Sequence, residues 1–150
     1  MESQKCKVTI SGKEYLYEKG TSYQEIAKDF QKEYKHQIAL VILDGHRLQE
    51  LRKQVSGDCT LQFVTTQDTA GHDTYRRSVC FLFIKAVHDV IGHERPQQVR
   101  VRIHFSLGAG FYCTVEGIDH VGMEFQWKVE ERMYELVQQR LPITKELIHT

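Results

Sequence analysis

Two hydrophobic periods alternate along the first half of the chain. "CKVTI", the turn "SGK" and "EYLYE" alternate apolar and polar side chains and predict a pair of strands. In "TSYQEIAKDFQKEY" the period lengthens, and Tyr23, Ile26, Ala27, Phe30 and Tyr34 fall on one helical face. Ser22, followed three residues later by Glu25, supplies a capping box for that helix. "IALVIL" is a continuous apolar run, as expected of a strand buried on both faces, and Asp44-Gly45 turns the chain back. "LQEL" and "CTLQFVTT" add one or two further strands.

The second half repeats the alternation with longer elements. After the polar stretch "TTQDTAGHD", with Gly71 read as a turn residue, Tyr75, Val79, Leu82, Phe83, Ala86, Val87 and Val90 recur at helical spacing. Phe81 and Ile84 widen that stripe, which predicts a helix covered on two sides. "VRVRIHF" then alternates strictly, sending Val99, Val101, Ile103 and Phe105 inward and Arg100, Arg102 and His104 outward. "SLGAG" leads into "FYCTVEG" as the return strand of a hairpin. Val129, Met133, Leu136 and Val137 mark an amphipathic helix that Leu141-Pro142 stops. The remaining "ITKELIHT" carries no capping signature, so the second unit is expected to end partway through an element.

The pattern predicts an α+β protein of two modules, residues 1–66 and 67–150. A hairpin, a helix and then more strands within residues 5 to 65 is the order of a β-grasp, ubiquitin-like fold, its helix lying across one face of a small mixed sheet. Modules of this size bury little surface and lean on their neighbours.

Composition narrows the function classes. Twenty basic and twenty acidic side chains cancel, which excludes a general field for nucleic acid or membrane and leaves only local patches. Cys6, Cys59, Cys80 and Cys113 lie far apart without C-x-x-C or zinc spacing, so reduced thiols are expected and no metal site. With no apolar stretch of signal or membrane-span length, a cytoplasmic protein without membrane contact is expected.

The candidate chemistry is anion binding. Arg76 and Arg77 read as first-turn residues of the long helix, where the macrodipole disfavours cations unless an anion is bound; His72 would join that site. Arg100, Arg102 and His104 share one face of a strand at a pitch of about 6.6 Å, suited to successive phosphates. Splayed arginines and a solvated strand face are the plainer alternatives. "GAG" at 108–110 reads as a hairpin turn rather than a phosphate loop, and no Walker sequence exists, so no cofactor is expected in this segment. Cys80 and His88 lie about 12 Å apart along their helix, too far for a nucleophile and its base.

These same stretches carry a family resemblance. On "GTSYQEIAKDF", "LVILDGHRLQEL" and "CTLQFVT", residues 5 to 65 resemble a TGS domain, the β-grasp module of threonyl-tRNA synthetases and some regulatory GTPase-type proteins. Residues 71 to 150 resemble the start of the editing module that threonyl- and alanyl-tRNA synthetases share, on "RSVCFLFIKAV", "LGAGFYCTV" and "VEERMYELVQQRLPITKE". The wording "GHDTYRRSVCFLF" and "FSLGAGFYC" looks most like uridine kinase-like (nucleoside kinase) proteins, in which both modules precede a kinase domain. The resemblance implies ATP and Mg only for such a downstream domain. Editing modules use H-x-x-x-H on this helix and a later C-x-x-x-H; here the two histidine positions read Arg77 and Phe81. Neither side chain serves as a general base or metal ligand, so no catalytic residue is expected. The leading expectation is a non-catalytic binding or regulatory region of a uridine kinase-like protein. It would receive a nucleotide or RNA phosphate, or dock on its own kinase domain. The alternatives are a fragment of an editing hydrolase and a protein-interaction module, and a homo-oligomer is an expected partner state.

Overall fold

The computed structural model describes residues 4–92 and 99–146, and the chain divides into two compact units, Met1–Arg77 and Ser78–Thr150. The elements of the first are β1 (Lys5–Ile10), β2 (Lys13–Glu18), α1 (Tyr23–Phe30), β3 (Ile38–Leu43), β4 (Arg47–Glu50) and β5 (Cys59–Thr65). A long helix, α2 (Thr69–Ile91), begins in this unit and continues into the second, followed by β6 (Arg100–Leu107), β7 (Gly110–Glu116) and α3 (Met123–Gln139). The whole is an α+β arrangement with a mixed sheet.

In the first unit the sheet runs β2-β1-β5-β3-β4, with β1 and β5 parallel and the other pairs antiparallel. The reciprocal cap forms as expected: Ser22 N–H donates to Glu25 Oε2 at 2.9 Å and Glu25 N–H to Ser22 Oγ at 3.2 Å. Asp44 and Gly45 both take positive φ, +50° and +74°, as a tight hairpin turn requires. The Asp44 carboxylate accepts the Thr60 N–H at 3.0 Å and pairs with Arg47, bonds that hold its carboxyl below the usual range. One face of α1 (Tyr23, Ile26, Ala27, Phe30) joins Cys6, Val8, Ile10, Val41, Leu61 and Phe63 in the core. Tyr34, just past a short 3-10 turn, meets Phe63 edge-on at 5.7 Å. The β3 run is buried on both faces as its composition predicts: Val41 belongs to that core, while buried Leu40 lies outside it and pairs with Val64.

The start of α2 differs from the sequence expectation. Thr65 donates both its N–H (2.7 Å) and its Oγ1–H (2.9 Å) to Asp68 Oδ2, and Asp68 C=O receives the His72 N–H at 2.8 Å. These bonds close the turn just before Thr69, where the helix begins, and draw the Asp68 carboxyl below its ordinary range. Gly71 is therefore a helical residue rather than a turn. Its hydrogen is needed because a Cβ there would lie 1.9 Å from the Thr65 carbonyl oxygen.

In the second unit β6 and β7 form a two-stranded antiparallel sheet. Ala86 and Val87 of α2 pack with Val129 and Leu136 of α3, joined at partial burial by Val101, Val115, Phe125 and Met133. Arg132 ties the two helices by donating Nε–H to Asp89 Oδ2 at 2.9 Å, and Lys85 holds the same carboxylate at 3.0 Å.

Three inward assignments fail in this unit. Val137 of α3 and Phe81 of α2 are each 55% exposed; with Tyr75 at 56% earlier on α2, that helix is not covered on two sides among the described residues. Phe105 is 57% exposed because β6 carries an irregularity between Ile103 and Phe105, which shifts every later side chain to the opposite face. α3 stops at Arg140 in the left-handed conformation, φ +50°. Residues 141–146 add no strand, and the end of "ITKELIHT" lies outside the described residues.

Candidate nucleic-acid interface

The first proposed anion cluster loses its premise. With α2 starting at Thr69, Arg76 and Arg77 stand in the third turn, beyond the reach of the macrodipole's positive end. Asp68, the residue just before that end, directs its carboxylate back to Thr65. Arg77 Nη2 donates to Thr74 Oγ1 at 3.2 Å, Thr74 Oγ1 donates to Ala70 C=O, and His72 is exposed. The geometry brings no converging backbone N–H groups to these three residues. Four residues beyond Arg77 on α2, the exposed Phe81 ring occupies the other position at which the resemblance places a histidine.

The second cluster gains members. Register places Arg100 opposite Glu116, Arg102 opposite Thr114 and Phe105 opposite Tyr112, all on one face of the hairpin. His104, the extra residue of the irregularity, joins that face: its Nε2 is hydrogen-bonded to Thr114 Oγ1 at 2.8 Å and its ring lies 5.4 Å from the Tyr112 ring. Phe105 stacks on Tyr112 at 5.2 Å, 21° from parallel. All these side chains except Thr114 are exposed. Arg102 is loosely paired with Glu116 at 3.6 Å, and Arg100 has no carboxylate partner among the described residues.

The result is a solvent-facing strip with two guanidinium groups at one end and three aromatic rings at the other. Guanidinium forks recognise phosphate, and ring faces accept stacked bases. The strict alternation located Arg100, Arg102 and His104, but it assigned Phe105 to the core and gave Tyr112 no role. Only the shifted register reveals them, and no residue type in "RIHFSLGAG" announces an irregularity. Among the described residues, no three His, Cys, Asp or Glu side chains are placed to hold a metal.

Over 146 residues, 96% of its length, the chain is 30% identical to the threonine–tRNA ligase of Thermotoga neapolitana, of which the match covers 22%. The Thermotoga maritima ligase is 29% identical over the same shares of each chain, and that of Clostridium novyi 26% identical over 93% of this chain and 21% of its own. No protein-family model matches the sequence. The chain is thus similar, through both of its units, to a region of threonine–tRNA ligases, and it spans about a fifth of the length of these curated relatives.

Proposed function

We propose that this chain is a tRNA-directed region of the threonyl-tRNA synthetase type: a TGS-like β-grasp module followed by an editing-like module that receives tRNA without deacylating it. The observation that carries the reading is the β6–β7 strip, which sets Arg100 and Arg102 on the same face as the rings of His104, Phe105 and Tyr112, a pattern suited to phosphates and stacked bases. The relatives point the same way, since threonine–tRNA ligases are by name enzymes of tRNA. The sheet order β2-β1-β5-β3-β4, with α1 across one face, supports the β-grasp assignment. Arg77 and Phe81 at the two histidine positions are the reason to read binding rather than chemistry. A cytoplasmic setting follows from this reading; among the described residues no helix is long and apolar enough to cross a membrane.

Titration with a labelled tRNA acceptor hairpin, at about 50 and about 200 mM salt, tests the proposal. Binding should weaken with salt, and Arg102→Ala should lower the salt slope by about one. Tyr112→Ala should cost about 1–3 kcal/mol of stacking. No binding at the lower salt, or binding indifferent to both substitutions, overturns it.

The relatives also favour a second reading, an editing hydrolase acting through altered residues. It requires that the protein release the amino acid from mischarged tRNA, and that replacing Cys80 or His72 abolish the release. The uridine kinase-like parent, with its ATP and Mg, draws no support from these relatives. A Walker sequence beyond Thr150 in the reading frame would restore it, and a C-x-x-x-H there would favour the synthetase type.

A further inference from the structure

The second unit contains a cavity of about 490 Å³, in the range of small-molecule sites. Phe83 of α2, Val115 of β7, Val121, and Phe125, Val129 and Met133 of α3 form its apolar wall. Its polar groups are few: the Cys113 thiol, Thr114, the Gln126 amide and the Glu130 carboxylate. Among the described residues, the side chains of Glu130 and Gln126 have no hydrogen-bond or ion-pair partner, and Glu130 is the one carboxylate in the lining. No cationic side chain among the described residues lines the cavity.

We propose that this cavity binds a small amphipathic cation, an aromatic or branched aliphatic body carrying a single ammonium group. Apolar walls remove the body from water, which drives entry. The unpaired Glu130 selects the charge, accepting N–H bonds from the ammonium that no protein group makes. Phe83 and Phe125 add ring faces, which attract cations and disfavour anions. A neutral or anionic molecule of the same shape fills the same volume but leaves Glu130 unanswered or repels it. By register Cys113 and Val115 of the wall point away from Tyr112, and Thr114 is shared by both surfaces, but among the described residues none of the guanidinium or ring groups of the RNA strip lines the cavity. It therefore stands independently of the proposed tRNA function.

Phenylethylamine, phenylpropionate and ethylbenzene, titrated into the full chain by ligand-observed NMR, separate the terms. The amine should bind saturably, roughly tenfold more tightly than either analogue, and Glu130→Gln should remove that preference while leaving ethylbenzene binding intact. Glu130 is exposed, so the substitution does not threaten folding. Val121→Trp, at a half-exposed position of the wall, should fill the cavity and abolish binding of all three. Bound amine should also raise the unfolding temperature of the second unit, since it binds only the folded form. Equal binding of phenylpropionate, binding that survives Val121→Trp, or no saturable binding of the amine overturns the proposal. A sedimentation shift showing that a second copy of the chain occupies the cavity would overturn it as well.

Discussion

The two units use similar lengths of chain to different effect. In the first, five strands and α1 enclose thirteen buried hydrophobic residues in one cluster. In the second, two helices and one hairpin enclose four among the described residues, while Trp127, Tyr134, Phe105 and Leu107 stay more than half exposed. The sequences do not differ correspondingly in apolar content. The difference is geometric: a five-stranded sheet offers a whole face to α1, whereas a hairpin is barely wide enough to cover one side of a helix. Stability is therefore expected to sit in the first unit and adaptability in the second.

The largest effect should come from removing the centre of the first core. Ile26 is fully buried, and Ile26→Ala should cost about 2–5 kcal/mol, much of the stability of a small unit. Val87→Ala, equally buried in the second unit, removes fewer atoms from a smaller cluster and should cost less, about 1–3 kcal/mol. Hydrogen exchange read by mass spectrometry assigns each loss to its unit. Slower exchange in β6, β7 and α3 of the unsubstituted protein than in β1, β3 and β5 would reverse the proposed ranking.

Gly71→Ala probes the passage from β5 into α2. The added methyl would lie 1.9 Å from the Thr65 carbonyl oxygen, a backbone atom that cannot swing aside, so the helix start must shift and the Thr65–Asp68 turn must loosen. A cost of about 1–3 kcal/mol is expected, despite alanine's better helix propensity. Urea denaturation measures it, and a stabilised Gly71→Ala protein would mean that the close approach does not exist.

How much was legible in the sequence follows the same division. In the first unit the capping box at Ser22 and Glu25, the Asp44-Gly45 turn and the double-faced burial of β3 are local signals, and each forms as the pattern dictates. In the second, periodicity identifies which faces are apolar but not whether another element covers them. Phe81 and Val137 satisfy helical spacing and still meet solvent. The start of α2 escapes the pattern because Gly71 reads as punctuation unless the Thr65 carbonyl beside it is known. Thr65 and Asp68, three apart, are the available clue to the turn. The anion site drawn around Arg76 and Arg77 rests on a later start. The strip on β6–β7 was half legible, because an irregular register cannot be inferred from residue types alone.

The smallest expected effect lies where α2 and α3 of the second unit are tied by charge rather than by packing. Burial pushes the Asp89 carboxyl up, but its bonds to Lys85 and Arg132 outweigh this and hold it below the ordinary value of 3.8. Its contribution to stability is then present above about pH 4 and lost as the pH falls through the lowered folded value. Asp44 and Asp68, also held low, impose the same sign on the first unit, so a general acid transition does not separate the two. Arg132→Leu does. It keeps the aliphatic cover and removes the donor to Asp89 and to Glu135, which Arg132 meets at 2.7 Å. The loss at neutral pH should be smaller than that of Gly71→Ala, and the dependence of thermal unfolding on acid should flatten. Trp127, the single tryptophan, lies on α3, so its fluorescence anisotropy follows the second unit alone. An unchanged acid slope in that signal would mean that the apolar contacts of Val87, Val129 and Leu136 hold the helices together unaided, and that the second unit is more like the first than its exposed surface implies.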